Sequence, residues 1–282
     1  VQTCALPISY FTTEDMYVVE HLTPGTYYTA GVRAICGNDT SQTVTTSFST
    51  SCPASYSVPY SNGMEDEPSY VTPLCWTIHQ ASRAYSYTYD GAAWAYNSNK
   101  FLLMEREVEN MDTLLVVMPA FSEPLNNLRL RFRYRTYSTA TTTPQLVVGY
   151  VTNRYDPATF VPTDTLERLS VYSDVPTQIL FDKAPRSGYI AFTLTTGNSE
   201  LGEYYLDDFV VDKIPDCYEP TELVMSNVTS TSASVSWTSD ASMFTIYYTD
   251  GTQVQTKVST ENHIELTDLT INTQYTVYVM AM

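Results

Sequence analysis

The sequence predicts an all-β protein built of sandwich domains, and three observations carry that prediction. Thr, Ser, Tyr and Val dominate the 282 residues, and these side chains favour extended backbone. Short apolar or alternating runs follow one another between Pro, Gly, Asn and Ser, with no long helical period. A strand-like segment near the start of the chain recurs, without gaps, at its end.

Composition narrows the function classes. The chain is long enough for about two domains and can bury real cores without relying on disulfides. Its 31 acidic and 14 basic residues give a formal net charge of -17. That opposes nucleic acid and anionic lipid, which need clustered Lys and Arg, and suits hard cations and a soluble surface. No apolar run approaches the ~20 residues of a membrane span; "LLVVMPAF" is broken by Pro119.

Taken in order, the first segment is Val1 to Ile8, "VQTCALPI". It lacks the basic start, long apolar stretch and cleavage site of a signal peptide, and no initiator Met precedes it. Reverse-translated as GTT CAG ACG TGT GCT CTT CCG ATC, it resembles a common sequencing-library adapter read in frame. A native strand is the other reading. An adapter origin implies that residues 1–8 are non-native, that Cys4 carries no biology, and that the chain is a piece of a longer reading frame.

The repeat comes next. "LTPGTYYTAGVRAIC" runs from Leu22 to Cys36 and "LTINTQYTVYVMAM" from Leu269 to Met282. Leu22 aligns with Leu269, Thr26 with Thr273, Tyr28 with Tyr275, Val32 with Val279 and Ala34 with Ala281. Each copy alternates with period two after a turn, the pattern of a half-buried strand. A Leu, a turn and Thr-x-Tyr leading into a strand resembles the tyrosine corner of a Greek-key sandwich; two unrelated amphipathic strands are the alternative. Upstream of the second copy stand "ASVSWT" with Trp237, then "MFTIYYTDGTQVQTKV", where Asp-Gly signals a hairpin. Together these resemble a fibronectin type III domain over residues 217–282, without its last strand. The first copy then implies the C-terminal part of another over residues 9–52.

Between them, residues 53–216 hold "DTLLVVMPAF", "LRLRFRYRTY", "QLVVGYV", "TQILFDKA", "GYIAFTLTT" and "YYLDDFVVDK". Around ten short strands suggest a single sandwich or jelly roll. The order "PYSNGMEDE", "PLCWT", "VVMPAF", "VVGYVTNRYDPATFVP", "GYIAF", "YYLDDFVV" resembles the MAM-like jelly rolls of Bacteroidetes surface proteins. It is also similar to the cleaved-adhesin domains of gingipain-type proteins. Met64 departs from these families, which often carry Phe before the acidic residue. The expected fold is therefore a central jelly-roll sandwich flanked by two truncated fibronectin type III, immunoglobulin-like sandwiches.

Without Cys4, four cysteines remain: Cys36, Cys52, Cys75 and Cys217. Cys36 and Cys52 lie at opposite ends of a hairpin, roughly 30 Å apart at ~3.3 Å per residue, too far to bridge. The resemblance to type III topology implies that Cys36 and Cys217 each bond a residue beyond this chain. Cys52 and Cys75 are then expected as a pair, and four reduced core thiols are the other reading. Disulfides would place the parent protein outside a reducing cytoplasm.

No catalytic constellation stands out. His21, His79 and His263 are scattered, and neither G-x-S-x-G nor a phosphate-cradling Gly loop is present. Two patterns suggest binding instead. The resemblance to MAM-like jelly rolls implies that the early acidic cluster and the late "DD" strand meet at a structural Ca²⁺, which takes oxygen ligands. The candidate ligands are Glu65, Asp66, Asp207 and Asp208. Strict alternation in "YYLDDFVV" puts Asp207 with Tyr205 and Phe209, and Asp208 with Leu206 and Val210, so one Asp is expected to point inward and to need a partner. An exposed acidic turn with one hydrogen-bonded Asp is the plainer reading.

The second pattern is "YSYTYDGAAWAYNSN", with Tyr85, Tyr87 and Tyr89 on one face and Trp94 after a turn. Such rings can stack sugars, or can simply cover the sandwich or an interdomain contact. The expected function is a non-catalytic adhesion module of a secreted or cell-surface bacterial protein that binds host protein, matrix or glycan. Accessory domains of a secreted peptidase or glycoside hydrolase, and a structural stalk, are the alternatives.

Overall fold

The computed structural model describes residues 8–282 except 92, 94, 97, 109, 110, 173–175, 197 and 198. Val1 to Pro7 of the adapter-like segment, with Cys4, and the candidate Trp94 lie outside the described residues. The protein is all-β and divides into two compact units, Val1–Ile214 and Pro215–Met282.

The first unit opens with β1 (Tyr27–Val32), β2 (Ile35–Cys36), β3 (Asp39–Thr40) and β4 (Val44–Ser49). β1 pairs antiparallel with β4, and β2 with β3. Then follow β5 (Tyr60–Asn62), β6 (Thr77–His79), β7 (Ala84–Asp90), β8 (Lys100–Arg106), β9 (Leu115–Val117) and β10 (Leu128–Thr136). β11 (Leu146–Val151), β12 (Phe160–Thr165), β13 (Thr177–Leu180), β14 (Tyr189–Leu194) and β15 (Gly202–Lys213) complete the unit.

Strands β5–β15 form two antiparallel sheets. One runs β13-β10-β15-β8-β7, with β5 also on β15; the other runs β12-β11-β14-β9-β6. Their inner faces meet in one core that includes Trp76, Leu130, Phe132, Tyr134, Val148, Ile190, Phe192, Leu206, Phe209 and Val211. The rings interlock: Phe132 stacks on Phe209 with centroids 5.8 Å apart, and Trp76 meets Phe209 edge-on at 5.2 Å. Burying each such side chain contributes about 1.5–3 kcal/mol. This is the sandwich that the spacing of apolar runs predicts.

The first segment joins this sandwich at a tight joint. Cys52 and Cys75 form a disulfide with a Cα separation of 5.6 Å. Gly25 lies in the left-handed region, and a Cβ there would sit 2.1 Å from the Tyr56 hydroxyl, so only glycine fits. Tyr27 hydrogen-bonds Glu67; burial and that carboxylate push its hydroxyl up to about 12.

The second unit holds β16 (Thr221–Ser226), β17 (Ala233–Thr238), β18 (Phe244–Thr249), β19 (Val254–Ser259), β20 (His263–Leu266) and β21 (Thr276–Ala281). Two three-stranded sheets, β16-β17-β20 and β19-β18-β21, enclose Val235, Trp237, Phe244, Ile246, Tyr248 and Leu266. Trp237 lies edge-on to Phe244 at 5.1 Å. The repeat has the same geometry in both copies. The Tyr28 hydroxyl accepts from the Thr23 N–H at 2.8 Å, and that of Tyr275 from the Thr270 N–H at 3.1 Å, each five residues upstream.

Candidate ligand-binding face

The sheet β13-β10-β15-β8-β7 carries Tyr85, Tyr87 and Tyr89 on β7 and Asp207 and Asp208 on β15. Along β7, Ala84, Ser86 and Thr88 are buried toward the core side while Tyr85, Tyr87 and Tyr89 alternate with them on the outside, each partly exposed. Large rings outward and small side chains inward invert the usual pattern, so these tyrosines do not form the inter-sheet core. The rings of Tyr85 and Tyr87 stack at 5.8 Å with 7° between their planes, and Tyr89 follows at 6.3 Å. Tyr87 and Tyr89 pack against Phe101, Leu103 and Tyr205, buried side chains on β8 and β15.

A fourth ring arrives from outside the periodic pattern. Tyr70 donates its backbone N–H to the Thr88 carbonyl, and the Thr88 N–H returns to Val71, so this segment lies along the free edge of β7. Tyr70 is 64% exposed, with its ring 5.7 Å from Tyr87 and 5.6 Å from Tyr89. Its segment has no alternation, so nothing in the sequence marked it.

Two carboxylates edge the rings. Tyr85 donates its hydroxyl to Glu105 at 2.5 Å, and Tyr205 to Glu203 at 2.6 Å. Glu105 and Glu203 are direct cross-strand partners. Burial, then repulsion from Glu203 and Glu107, raises the Glu105 carboxyl above its ordinary range, against the Tyr85 bond that lowers it. Such acceptors, beside ring faces, can fix hydroxyl groups of a sugar.

The other half of the face is an arginine ladder, Arg129, Arg131, Arg133 and Arg135 on β10, which the sequence shows only as "LRLRFRYR". Each guanidinium is engaged. Arg129 grips Asp212 through two nitrogens at 2.7 and 3.1 Å, and Arg131 reaches the same carboxylate at 2.8 Å. Arg133 pairs with Asp208 at 3.3 Å and lies 3.8 Å over Tyr96. Arg135 lies over Tyr172 and Tyr205.

The acidic candidates behave differently from the alternation expected of them. β15 pairs with β8 through Leu206 and with β5 from Phe209 onward, and its register against β10 shifts between Arg131 and Arg133. A bulge therefore sits at Asp207-Asp208, and Asp208 takes a positive φ of 53°. Leu206 and Phe209 both face the core, so Asp207 does not share a face with Phe209, as strict alternation would have it. Neither Asp points into the inter-sheet core. Asp207 is fully buried on the outer side, under the loop after β7. It accepts from the Tyr96 N–H at 3.1 Å, the Ser98 hydroxyl at 2.9 Å and the Asp208 N–H at 2.8 Å. Burial pushes its carboxyl up to about 7, against those bonds.

The cluster Glu65-Asp66-Glu67 also separates into distinct roles. Glu67 is buried and accepts from Asn62 and the Leu74 N–H. Glu65 accepts from the N–H groups of Asn99 and Lys100, and Asp66 is exposed. Glu65 and Asp207 thus converge on one loop, but its N–H and hydroxyl donors satisfy them. Among the described residues, no three His, Cys, Asp or Glu side chains gather as a metal set.

Residues 218–282 match the fibronectin type III domain family. No curated protein sequence matches the chain. Among solved structures, the chain is similar to the K2 cleaved adhesin domain of Lys-gingipain, with 9% identity and a TM-score of 0.45 over 56% of this chain and 99% of that one. It is also similar to the K1 cleaved adhesin domain from Porphyromonas gingivalis W83, at 15% identity and 0.41, with the same coverage. The CBM22-1 xylan-binding domain of Paenibacillus barcinonensis Xyn10C is similar at 13% identity and 0.33, over 55% of this chain and 93% of that one.

Proposed function

We propose that residues 53–216 are a non-catalytic binding module of a secreted or surface-attached bacterial protein, with type III segments at 9–52 and 217–282 as spacers. The module engages a host or matrix protein or a glycan through the tyrosine face, and a glycan is the ligand the rings suit best. One observation carries this reading: Tyr70, Tyr85, Tyr87 and Tyr89 form a partly exposed run of rings on the outer side of the sheet. Ring faces offer C–H contacts to a sugar, and Glu105 and Glu203 accept from its hydroxyls. An extracellular setting is supported by the Cys52–Cys75 disulfide, since such bonds persist outside the reducing cytoplasm.

The test is a glycan array with the full chain, repeated with Tyr87→Ala and Tyr70→Ala. Loss of signal in both variants, with melting temperatures retained, is expected. Glycan binding that survives both substitutions together with Trp94→Ala would remove the face from consideration. A chain that binds host matrix protein but no glycan, with the same dependence on Tyr87, would keep the face and replace the ligand.

A further inference from the structure

The acidic turn and the start of β8 exchange charges. Glu65 sends its carboxylate to β8, where Oε1 accepts from the N–H groups of Asn99 at 2.8 Å and Lys100 at 2.6 Å. Lys100 sends its ammonium back, donating to the carbonyl oxygens of Glu65 at 3.0 Å and Glu67 at 2.6 Å. Backbone carbonyls converging on one positive centre are the ligands a hard cation takes. Here the positive centre is a side chain of the same chain.

The surroundings account for the placement. Glu67 turns its carboxylate toward Asn62 and Leu74, so only its carbonyl faces Lys100. Met64, just before the turn, is fully buried with a positive φ of 63°, its N–H held by the Asn62 side chain. The turn is thereby anchored on its core side, and its two carbonyls point at the β8 entry. A divalent ion seated on the same oxygens would meet the ammonium at contact distance, and like charges there repel.

We propose that Lys100 supplies, from within this sandwich, the positive charge that a metal ion would bring to the acidic turn. Its ammonium ties the acidic turn 65–67 to β8, the task a bound metal would otherwise perform, and the first unit folds independently of calcium. The same contact fixes the end of the loop after β7, whose Ala95 packs against the buried rings under the tyrosine face. This inference concerns the scaffold and stands whether or not the face binds glycan.

Three measurements on the full chain test it. Acetylation by an N-hydroxysuccinimide ester, read by peptide mass spectrometry, should modify Lys100 several-fold more slowly than the exposed Lys183. Thermal melting should superimpose in millimolar calcium and in EGTA. Lys100→Met should lower the melting temperature of the first unit by several degrees and speed hydrogen exchange at the amides of residues 99 and 100, while Lys100→Arg keeps most of the protection. Calcium that raises the melting temperature of the unsubstituted chain would overturn the proposal. So would a Lys100 as reactive as Lys183, or a Lys100→Met chain that melts and exchanges as before. Should Lys100→Met not fold, the labelling and calcium measurements decide alone.

Discussion

Ser98 donates a 2.9 Å hydrogen bond to the carboxylate of Asp207, 109 residues further along the chain. With the Tyr96 and Asp208 N–H groups it gives this buried carboxylate three donors. Burial still outweighs them and pushes the carboxyl from an ordinary value near 3.8 up to about 7. The folded state therefore holds this proton more tightly than the unfolded chain. The resulting stability is fully present below about pH 4 and is lost as pH rises through about 7.

Asp207→Asn should remove that dependence. Comparing the melting temperatures of the first unit in the two chains between about pH 4 and pH 8 isolates it, because the other titrating groups are shared. The difference should change across this window by an amount on the order of a few kcal/mol. Parallel curves would show that Asp207 titrates in its ordinary range.

Non-reducing peptide mapping should recover Cys52 joined to Cys75, with Cys36 and Cys217 alkylated without prior reduction. Replacing both bonded cysteines by serine should cost the first unit about 2–4 kcal/mol. A Cys36–Cys52 peptide would contradict the joint at its covalent step.

Gly149 lies where the register of β11 against β12 shifts. A Cβ there would meet the Val161 carbonyl at 2.1 Å and the Pro162 Cα at 2.9 Å, both backbone atoms. Gly149→Ala should therefore destabilise by about 1–3 kcal/mol, as overpacking does. An unchanged urea midpoint would mean that β12 can move aside freely.

Tyr275→Phe keeps the ring in the core of the second unit and deletes the hydroxyl that holds the Thr270 N–H. The expected loss is about 1 kcal/mol, read as a lower denaturation midpoint for that unit alone. A loss appearing instead in the first unit would misassign the bond.

Much of this was legible in the sequence for a definite reason. Core strands alternate with period two, so Leu130, Phe132 and Tyr134 announce their face, and so do Tyr85, Tyr87 and Tyr89. The tyrosine corners were legible because the motif is local, its bonded residues only five apart, Thr23 with Tyr28 and Thr270 with Tyr275. The bulge at Asp207-Asp208 was not, because one extra residue reverses the alternation without any residue type that demands it. Lys100 was hidden because its partners are backbone carbonyls more than 30 residues away, and carbonyls leave no mark on composition. Tyr70 was hidden because an irregular segment, not a strand, carries it to β7.

The covalent joint has a mechanical consequence. A pull applied along the chain enters the sandwich at Cys52 and crosses directly to Cys75, 23 positions further along, bypassing the stretch between them. That detour contains β5, the acidic turn and Tyr70. Tension on a tethered molecule in flowing fluid would thus be carried past these parts, and the rings at the edge of β7 would keep their spacing while the rest of the chain bears the load.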